Sequence, residues 1–489
     1  MTAPCATLAT VTDVDPSTLA PGASEMPSLN PDELARLTGG RLLARSDRPI
    51  RGAAVDSRLV KPGQLFVALP GERTDGHEFI AEAVTRGAVA LIVTRPLADP
   101  AALGDVTVVR AVDSLAALGA VAAGWRRRFE LPVVGVTGSI AKTSTKEAIA
   151  AVLGSRFETL RNEGNQNNEI GLPLTLLRLG PEHGAAVLEM GMYVGGEIAE
   201  LARIARPSIG VVTAVQPVHL ARIGSLRAIE AAKGELLEAL PPDGTAILNA
   251  DDPIVRRMGS RSVARSMTYG FGADADVGAE AIESAGLAGM RFVLRTDAGR
   301  RAVTVPTLGR LSVHNALAGA AVGRAAGLSL DEIATGLGAG WSAPHRVQVV
   351  RVGEVTLVDD TYNASPRSVV AALDLLAGLP GRRGAVLGEM LELGEAHAEG
   401  HRVVGEAAAR AADWLLVVGQ AAAGIAEGAL AAGMDPSRVS VVPDVGAALE
   451  FLPPRLRDGD VVLLKASRGI GLEQLVEGLG REGGRRSAR

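Results

Sequence analysis

Val133-Val134-Gly135-Val136-Thr137-Gly138-Ser139-Ile140-Ala141-Lys142-Thr143-Ser144-Thr145-Lys146 is the stretch on which the fold turns. A short run of strand-forming residues ends in a Gly-Ser turn, and Lys-Thr opens a helical pattern that runs through Leu153 and is closed by Gly154. Strand, turn and helix in this order aim backbone N–H groups at an anion, with Lys142 reaching its outer oxygens and the Thr143 hydroxyl available to Mg²⁺. The full phosphate-loop pattern has glycines where Val136 and Ala141 stand, so only the core Gly138-Ser139-Ile140-Ala141-Lys142-Thr143 remains. On these residues alone a phosphate loop and an ordinary strand-turn-helix both stand.

The chain of 489 residues suits about three domains, and its 47% hydrophobic content fills several cores. A net charge of -5 argues against nucleic acid as a partner, since such surfaces are basic. The one cluster of positive charge is the tail from Arg481 to Arg489, expected to fray. Cys5 is the only cysteine and has no internal partner, which suits a reducing compartment. No apolar run reaches the length of a membrane span, and residues 1–25 lack the basic start and apolar core of a secretory signal. The expectation is a cytoplasmic, monomeric protein that does not span a membrane.

Working outward, residues 1–26 read as a flexible leader, and 27–129 as a small α/β domain with apolar runs at 64–69, 89–93 and 106–109. Residues 130–342 read as a central domain with a mostly parallel sheet, built on Val133 to Val136, Ala185 to Leu188, Ile209 to Val212 and Thr245 to Leu248. Short strands are expected over 260–308 and a small-residue helix from Val313 to Ala326. The alternation restarts in a Rossmann-like domain, 343–480, with strands at 355–358, 384–387, 414–418 and 460–464, and 481–489 as tail.

Polar residues directly after buried strands are the ones to weigh, because doubly wound sheets bind ligands there. Glu189 ends one such run and suits Mg²⁺ as an oxygen ligand, or equally a salt bridge or helix cap. His219 follows another strand and reads as structural or as a ligand. Lys233 lies among Ala231, Ala232 and Gly234 on a helix, where a solvated lysine is the plain reading. Asn249-Ala250-Asp251-Asp252 suits a base or ribose, or an Asx turn. The segment Asn162 to Asn168 is denser in amides than a turn requires, which suits sugar or phosphate recognition. Asp359-Asp360-Thr361-Tyr362-Asn363-Ala364-Ser365-Pro366 leads from strand to helix, with Ser365 as N-cap and Pro366 at the first helical position. Gly388-Glu389-Met390 and Lys465-Ala466-Ser467-Arg468 occupy further strand ends.

In this order and spacing the motifs resemble the Mur ligase family over about residues 27–480, and within it the branch that adds D-alanyl-D-alanine, whose mark is close to Asp360 through Pro366. The resemblance implies ATP held by Gly138, Ser139, Ile140, Ala141, Lys142, Thr143, Ser144, Asn249, Asn315, Arg346 and Asp360. It implies two Mg²⁺ ions on Thr143, Glu189, His219 and a carbamylated Lys233, with Lys142 and Arg346 among the catalytic residues. The substrates implied are UDP-N-acetylmuramoyl-tripeptide and D-alanyl-D-alanine, contacted by Ser57, Arg58, Asp75, His77, Asn165, Asn167, Asn168, Tyr362, Asn363, Ser365, Lys465 and Ser467. The reaction implied is amide formation through an acyl phosphate, with another amino-acid or folylpolyglutamate-type ligase of the superfamily as the alternative. Four positions depart from the family pattern: Ala141, His345 and Ala466 stand where glycine is usual, and Leu311 where histidine is. If position 141 needs positive φ, a Cβ there costs about 1–2 kcal/mol.

Overall fold

Residues 26–71, 74–216 and 225–487 are described by the computed structural model. The expected leader, apart from Met26, and His219 therefore lie outside the described residues.

The first sheet runs in the order β1-β5-β4-β3-β2, with β1 (Arg41–Ala44), β2 (Ala53–Ala54), β3 (Leu65–Val67), β4 (Ala90–Val93) and β5 (Thr107–Arg110). Its centre is parallel and buried, and β1 closes the edge antiparallel to β5. Before it stands a helix, Pro31–Thr38, whose start and stop are written in Asn30, Pro31 and Gly39. Asn30 Oδ1 accepts the Glu33 N–H at 2.9 Å, and Gly39 takes φ 60 to end the helix.

A second sheet has nine strands in the order β14-β13-β12-β11-β10-β9-β6-β8-β7. They are β6 (Val133–Thr137), β7 (Thr159–Arg161), β8 (Ala185–Glu189), β9 (Ile209–Val212), β10 (Thr245–Asn249), β11 (Arg265–Gly270), β12 (Val277–Ser284), β13 (Met290–Thr296) and β14 (Gly299–Val305). The strands expected over 260–308 thus extend the same sheet, parallel as far as β12 and antiparallel beyond it. The helix Ser114–Arg126 joins the first two sheets through one apolar core: Leu118 and Val121 share it with Leu172, Leu176, Ile198 and Leu201. Trp125 Nε1 donates to Leu179 O at 3.0 Å, and Arg126 Nε to Ala205 O at 3.0 Å.

The third sheet, ordered β15-β16-β20-β17-β18-β19, holds β15 (Gln348–Val352), β16 (Val355–Asp359), β17 (Arg382–Gly388), β18 (Trp414–Val418), β19 (Val439–Val442) and β20 (Asp460–Lys465). Alternate residues serve opposite faces: Leu415, Val417, Val461 and Leu463 pack under the helices Pro366–Ala377, His397–Ala411 and Ala423–Ala431. Leu416, Val418, Val462 and Leu464 pack under Val445–Phe451 and Glu473–Ser487. That last helix runs to Ser487, into the stretch expected as a tail, with Leu475 and Leu479 anchoring its start.

Helices in the third unit cross closely because glycines face carbonyls. A Cβ on Gly405 would stand 2.0 Å from Ile425 O, and one on Gly428 2.3 Å from Arg402 O. Gly405→Ala is therefore expected to destabilise this unit by about 1–3 kcal/mol, read as a lower thermal unfolding midpoint. An unchanged midpoint would mean that the two helices slide apart without cost.

Candidate active site

The turn after β6 is built by close approach. A Cβ on Gly138 would stand 1.9 Å from Thr213 Oγ1. The same hydroxyl donates to Ile140 O at 2.6 Å, and Ser139 N–H donates to Ala214 O at 2.8 Å, so β9 supports the loop from beneath. Ala141 then adopts φ 64, ψ 0, and the helix Lys142–Leu153 begins one residue later, a turn earlier than its apolar pattern. Gly154 stands at its end but stays right-handed, with φ -61, so it closes the helix without a left-handed turn. The first N–H groups of this helix have no acceptor within it, which makes its start an anion cradle.

Four charged side chains converge on that start. Lys142 Nζ folds back to donate to Gly138 O at 2.8 Å. Burial pushes its pKa below the ordinary lysine value, Glu189 opposes the shift and Arg346 adds to it. Glu189 is 3% exposed; one of its oxygens accepts from Thr143 Oγ1 at 2.9 Å and the other from Asn167 Nδ2 at 2.8 Å. Asn162 brackets the same residue, accepting its N–H at 3.0 Å and donating to its C=O at 3.0 Å. Lys233, on the helix Leu226–Glu238, is 4% exposed, which removes the solvated reading. Its pKa falls to about 7, first through burial and then through repulsion by Lys142.

The amide-rich segment makes bonds within the fold. Asn162 serves the backbone, Asn167 holds Glu189, and Asn168 Oδ1 accepts the Gly171 N–H at 3.0 Å; Asn165 and Gln166 are exposed. Thr143 Oγ1 and the Glu189 carboxylate present hard oxygen donors side by side, which fits Mg²⁺. Among the described residues no three His, Cys, Asp or Glu gather as a ready-made metal cluster.

Asn249 Nδ2 donates to Thr213 O at 2.7 Å, and its Oδ1 accepts the Asp251 N–H at 2.9 Å. Sequence reasoning missed His314, whose Nε2 lies 3.1 Å from Asn249 Oδ1 and 3.3 Å from Asp251. That imidazole holds the Asp251 carboxyl below its usual range and packs against Tyr269 and Phe271, with ring centroids 5.0 Å and 5.4 Å away. Its position, one helical turn past Gly309 on a helix aimed at β10, was the available signal. Asn315 accepts from Thr145 Oγ1 at 3.1 Å and ties this helix to the loop helix.

Opposite lie the residues of the third unit. His345 adopts φ 60, its Nδ1 is 2.8 Å from the buried Asp359, and its C=O accepts the Tyr362 N–H at 3.0 Å. Arg346 lies over the Tyr362 ring at 3.9 Å, and Arg468 donates to Tyr362 Oη at 3.2 Å. Asp360 pairs with Lys465 at 2.5 Å; burial raises its pKa, and the ammonium partly offsets this. Lys465 also donates to Asn363 O at 2.8 Å, and Ser467 Oγ accepts the Leu391 N–H at 2.9 Å. Ser365 is the exposed N-cap, with Pro366 at the first helical position as expected.

In the first unit Ser57 and Arg58 line a cavity of about 440 Å³. Ser57 donates to Glu82 at 2.7 Å, and Arg58 is paired with Asp56 at 2.6 Å. His77 accepts the Thr94 N–H on Nε2 at 3.0 Å, which puts its proton on Nδ1, 2.6 Å from Asp75.

Left-handed backbone at Ala141 costs about 1–2 kcal/mol that glycine would not. Ala141→Gly is expected to bind ATP at least as tightly as the parent chain, measured by calorimetric titration. A large loss of affinity would show that the methyl group is a fitted part of the loop.

Comparison with known proteins follows the same geometry. Profiles of the Mur ligase middle domain, the Mur ligase glutamate ligase domain and the Mur ligase family catalytic domain match residues 136–323, 345–468 and 49–161. The UDP-N-acetylmuramoyl-tripeptide--D-alanyl-D-alanine ligase of Synechocystis is 38% identical over 88% of this chain and 92% of its own length. The ligase of that name from Escherichia coli is 37% identical over 94% and 100%. A crystal structure of MurF from Acinetobacter baumannii superposes with a TM-score of 0.85 at 31% identity, covering 93% of this chain and 99% of that one. MurF ligase from Thermotoga maritima, in complex with ADP, gives 0.76 at 29% identity over 89% and 98%. With three profiles in chain order and relatives matched along nearly their whole length, the chain belongs to the Mur ligase family.

Proposed function

We propose that this chain is an ATP-dependent amide ligase of peptidoglycan precursor synthesis, joining D-alanyl-D-alanine to UDP-N-acetylmuramoyl-tripeptide in the cytoplasm. The observation that carries the reading is the convergence of Lys142, Glu189, Lys233 and Arg346 on one phosphate loop. Phosphoryl transfer depends on such positioned charge rather than on covalent chemistry by the protein. The names of the relatives support the substrates, and the Asp360 to Pro366 segment supports the branch.

A carboxylate is a poor electrophile, so it must be activated. A terminal carboxylate oxygen of the tripeptide attacks the γ-phosphorus of ATP, the bond to the bridging oxygen breaks, and ADP departs. The amine of the dipeptide then attacks the acyl carbon, and phosphate leaves with the C–O electron pair. Charge gathers first on the phosphoryl oxygens, where Lys142, Arg346 and the loop N–H groups stabilise it, and then on the tetrahedral carbon's oxygen. Thr143 and Glu189 would hold one Mg²⁺, and His219 with a carbamate of Lys233 a second. The chemistry Mg²⁺ supplies at such a site is neutralisation of phosphate oxygens. The first unit's cavity takes the UDP-sugar, the second unit ATP, and the third the dipeptide; closure of the third over the second keeps water from the acyl phosphate.

Lys233 needs modification to serve. As an ammonium it has no lone pair and repels a cation. With a pKa near 7 its neutral amine is present at neutral pH. Addition of that nitrogen to CO₂, with loss of a proton, gives a carbamate with two hard oxygens.

Phosphate release is expected to require both UDP-N-acetylmuramoyl-tripeptide and D-alanyl-D-alanine; strong turnover with single D-alanine or with glutamate would move the chain to another branch. Lys233→Ala should lose about a hundredfold or more in kcat, the scale of one electrostatic element. Lys233→Arg should do no better, and formate or acetate should partly restore Lys233→Ala. Near-normal activity in Lys233→Arg would rule out the carbamate, because arginine keeps the charge and cannot form one.

A further inference from the structure

The nucleotide chemistry leaves one group of titratable side chains unused: Glu389, His397 and His401. Glu389 follows β17, and its turn is pinned from two sides. Its C=O accepts the Ser467 N–H at 3.0 Å, and the next residue, Met390, donates its N–H to His401 Nε2 at 3.0 Å. His401 is 1% exposed and donates from Nδ1 to His397 O at 2.7 Å, so both its nitrogens are assigned. Burial lowers its pKa, and it stays a neutral strut. His397 packs on that ring at 4.2 Å between centroids and brings Nε2 to 3.2 Å from Glu389 Oε1.

Two features separate Glu389 from its neighbours. Of the carboxylates that end β16 and β17, Asp359 is committed to His345 and Thr361, and Asp360 to Lys465. Glu389 has only His397; its Oε2 has no hydrogen-bond partner among the described residues, and the two side chains remain 22% and 38% exposed. The second feature is place. β17 and β20 are neighbours, yet the helix after β17 lies on one face of the sheet and the helix after β20 on the other. The crevice beyond such a pair is where open α/β sheets bind ligands.

We propose that Glu389 accepts the amino group of the incoming dipeptide and takes its proton, with His397 as the residue that positions it. The inference rests on the ligase reading above. An α-amino group has a pKa of about 7.7–8.0, so much of it arrives as ammonium, which a carboxylate binds and which cannot attack until it loses a proton. As the nitrogen lone pair forms the C–N bond, the C–O bond to the phosphoryl group breaks and its electron pair leaves with phosphate. The ammonium's first proton passes to Glu389 Oε2 and frees the lone pair, and the second, shed once the C–N bond has formed, leaves on the departing phosphate, while Oε1 keeps its bond to His397.

The test compares two nucleophiles on the purified full chain with ATP and UDP-N-acetylmuramoyl-tripeptide. Hydroxylamine is neutral at pH 7 and needs no carboxylate, so hydroxamate formation reports activation alone. Glu389→Gln should lower kcat/KM for D-alanyl-D-alanine by about 10²-fold or more while hydroxamate formation persists. His397→Gln, at a more exposed side chain, should raise the KM for the dipeptide more than it lowers kcat. Equal loss with both nucleophiles, or no loss with the dipeptide, would overturn the assignment. A parent chain that forms hydroxamate but ignores the dipeptide would overturn the substrate reading itself, and this inference with it.

Discussion

Positive charge crowded into one buried corner is the constraint that the rest of the structure answers. Lys142 lies within electrostatic reach of Lys233, of Arg346 and of the buried Glu189, and burial and repulsion between cations act on both lysines. Glu189 does not relieve this by pairing with a lysine. Its oxygens are held by Thr143 and Asn167, and Asn162 fixes its backbone. The carboxylate is thus held by neutral groups, and the repulsion among the cations is of the kind that a bound anion relieves. A site arranged this way is stabilised by its ligand, because whatever binds the folded form alone shifts the folding equilibrium toward it.

Lys142 and Arg346, which repel each other, are presented by the same backbone device. Ala141 precedes Lys142 with φ 64, and His345 precedes Arg346 with φ 60. Each is a left-handed residue that turns the chain just before the cation, and each carries a Cβ where glycine would be unstrained. The strain is offset differently. His345 gains a bond to Asp359 and a second through its C=O to Tyr362, whereas Ala141 leads directly into the helix whose fourth residue, Thr145, donates back to its carbonyl at 2.9 Å. Ala466 is a separate case: it lies outside the left-handed set and is fully buried against Gly388, where an added Cβ would stand 2.8 Å away.

What could be read from the sequence follows from burial. Strands covered on both faces, such as β4, β6, β8 and β18, are continuous apolar runs and were legible. The edge strands β1, β15 and β19 are half-buried, and β2 is two residues long, so none stood out. The antiparallel β12 to β14 were expected as short strands, but their continuity with the parallel sheet depends on pairings that no local pattern records. At the site, Glu189 and Lys233 could be named as candidates, yet their burial could not be known. The place of Asn162 was not legible, because an amide that brackets a strand end has the same composition as one that binds a sugar. His314 escaped because its partners, Asn249 and Asp251, are far away in the chain.

The short segment from His345 to Asn363 then connects the two halves of the chemistry. Arg346 reaches toward Lys142 at the phosphate loop, and the Tyr362 ring lies beneath it at 3.9 Å. Tyr362 is bonded through its N–H to His345, and Arg468, two residues before the end of the turn that follows β20, donates to its hydroxyl. Asp360 locks the ends of β16 and β20 together, through its N–H to Leu464 O at 2.9 Å and its carboxylate to Lys465. Ser467, two residues on, carries the connection to Glu389 and Leu391. Displacement of Arg346 toward a phosphate gives up its place over the Tyr362 ring, a cation–π contact worth about 0.5–1 kcal/mol at an exposed site. The phosphate loop and the turn after β17 are in this way connected through Arg346, Tyr362 and the strand ends of the third sheet, although they belong to different sheets.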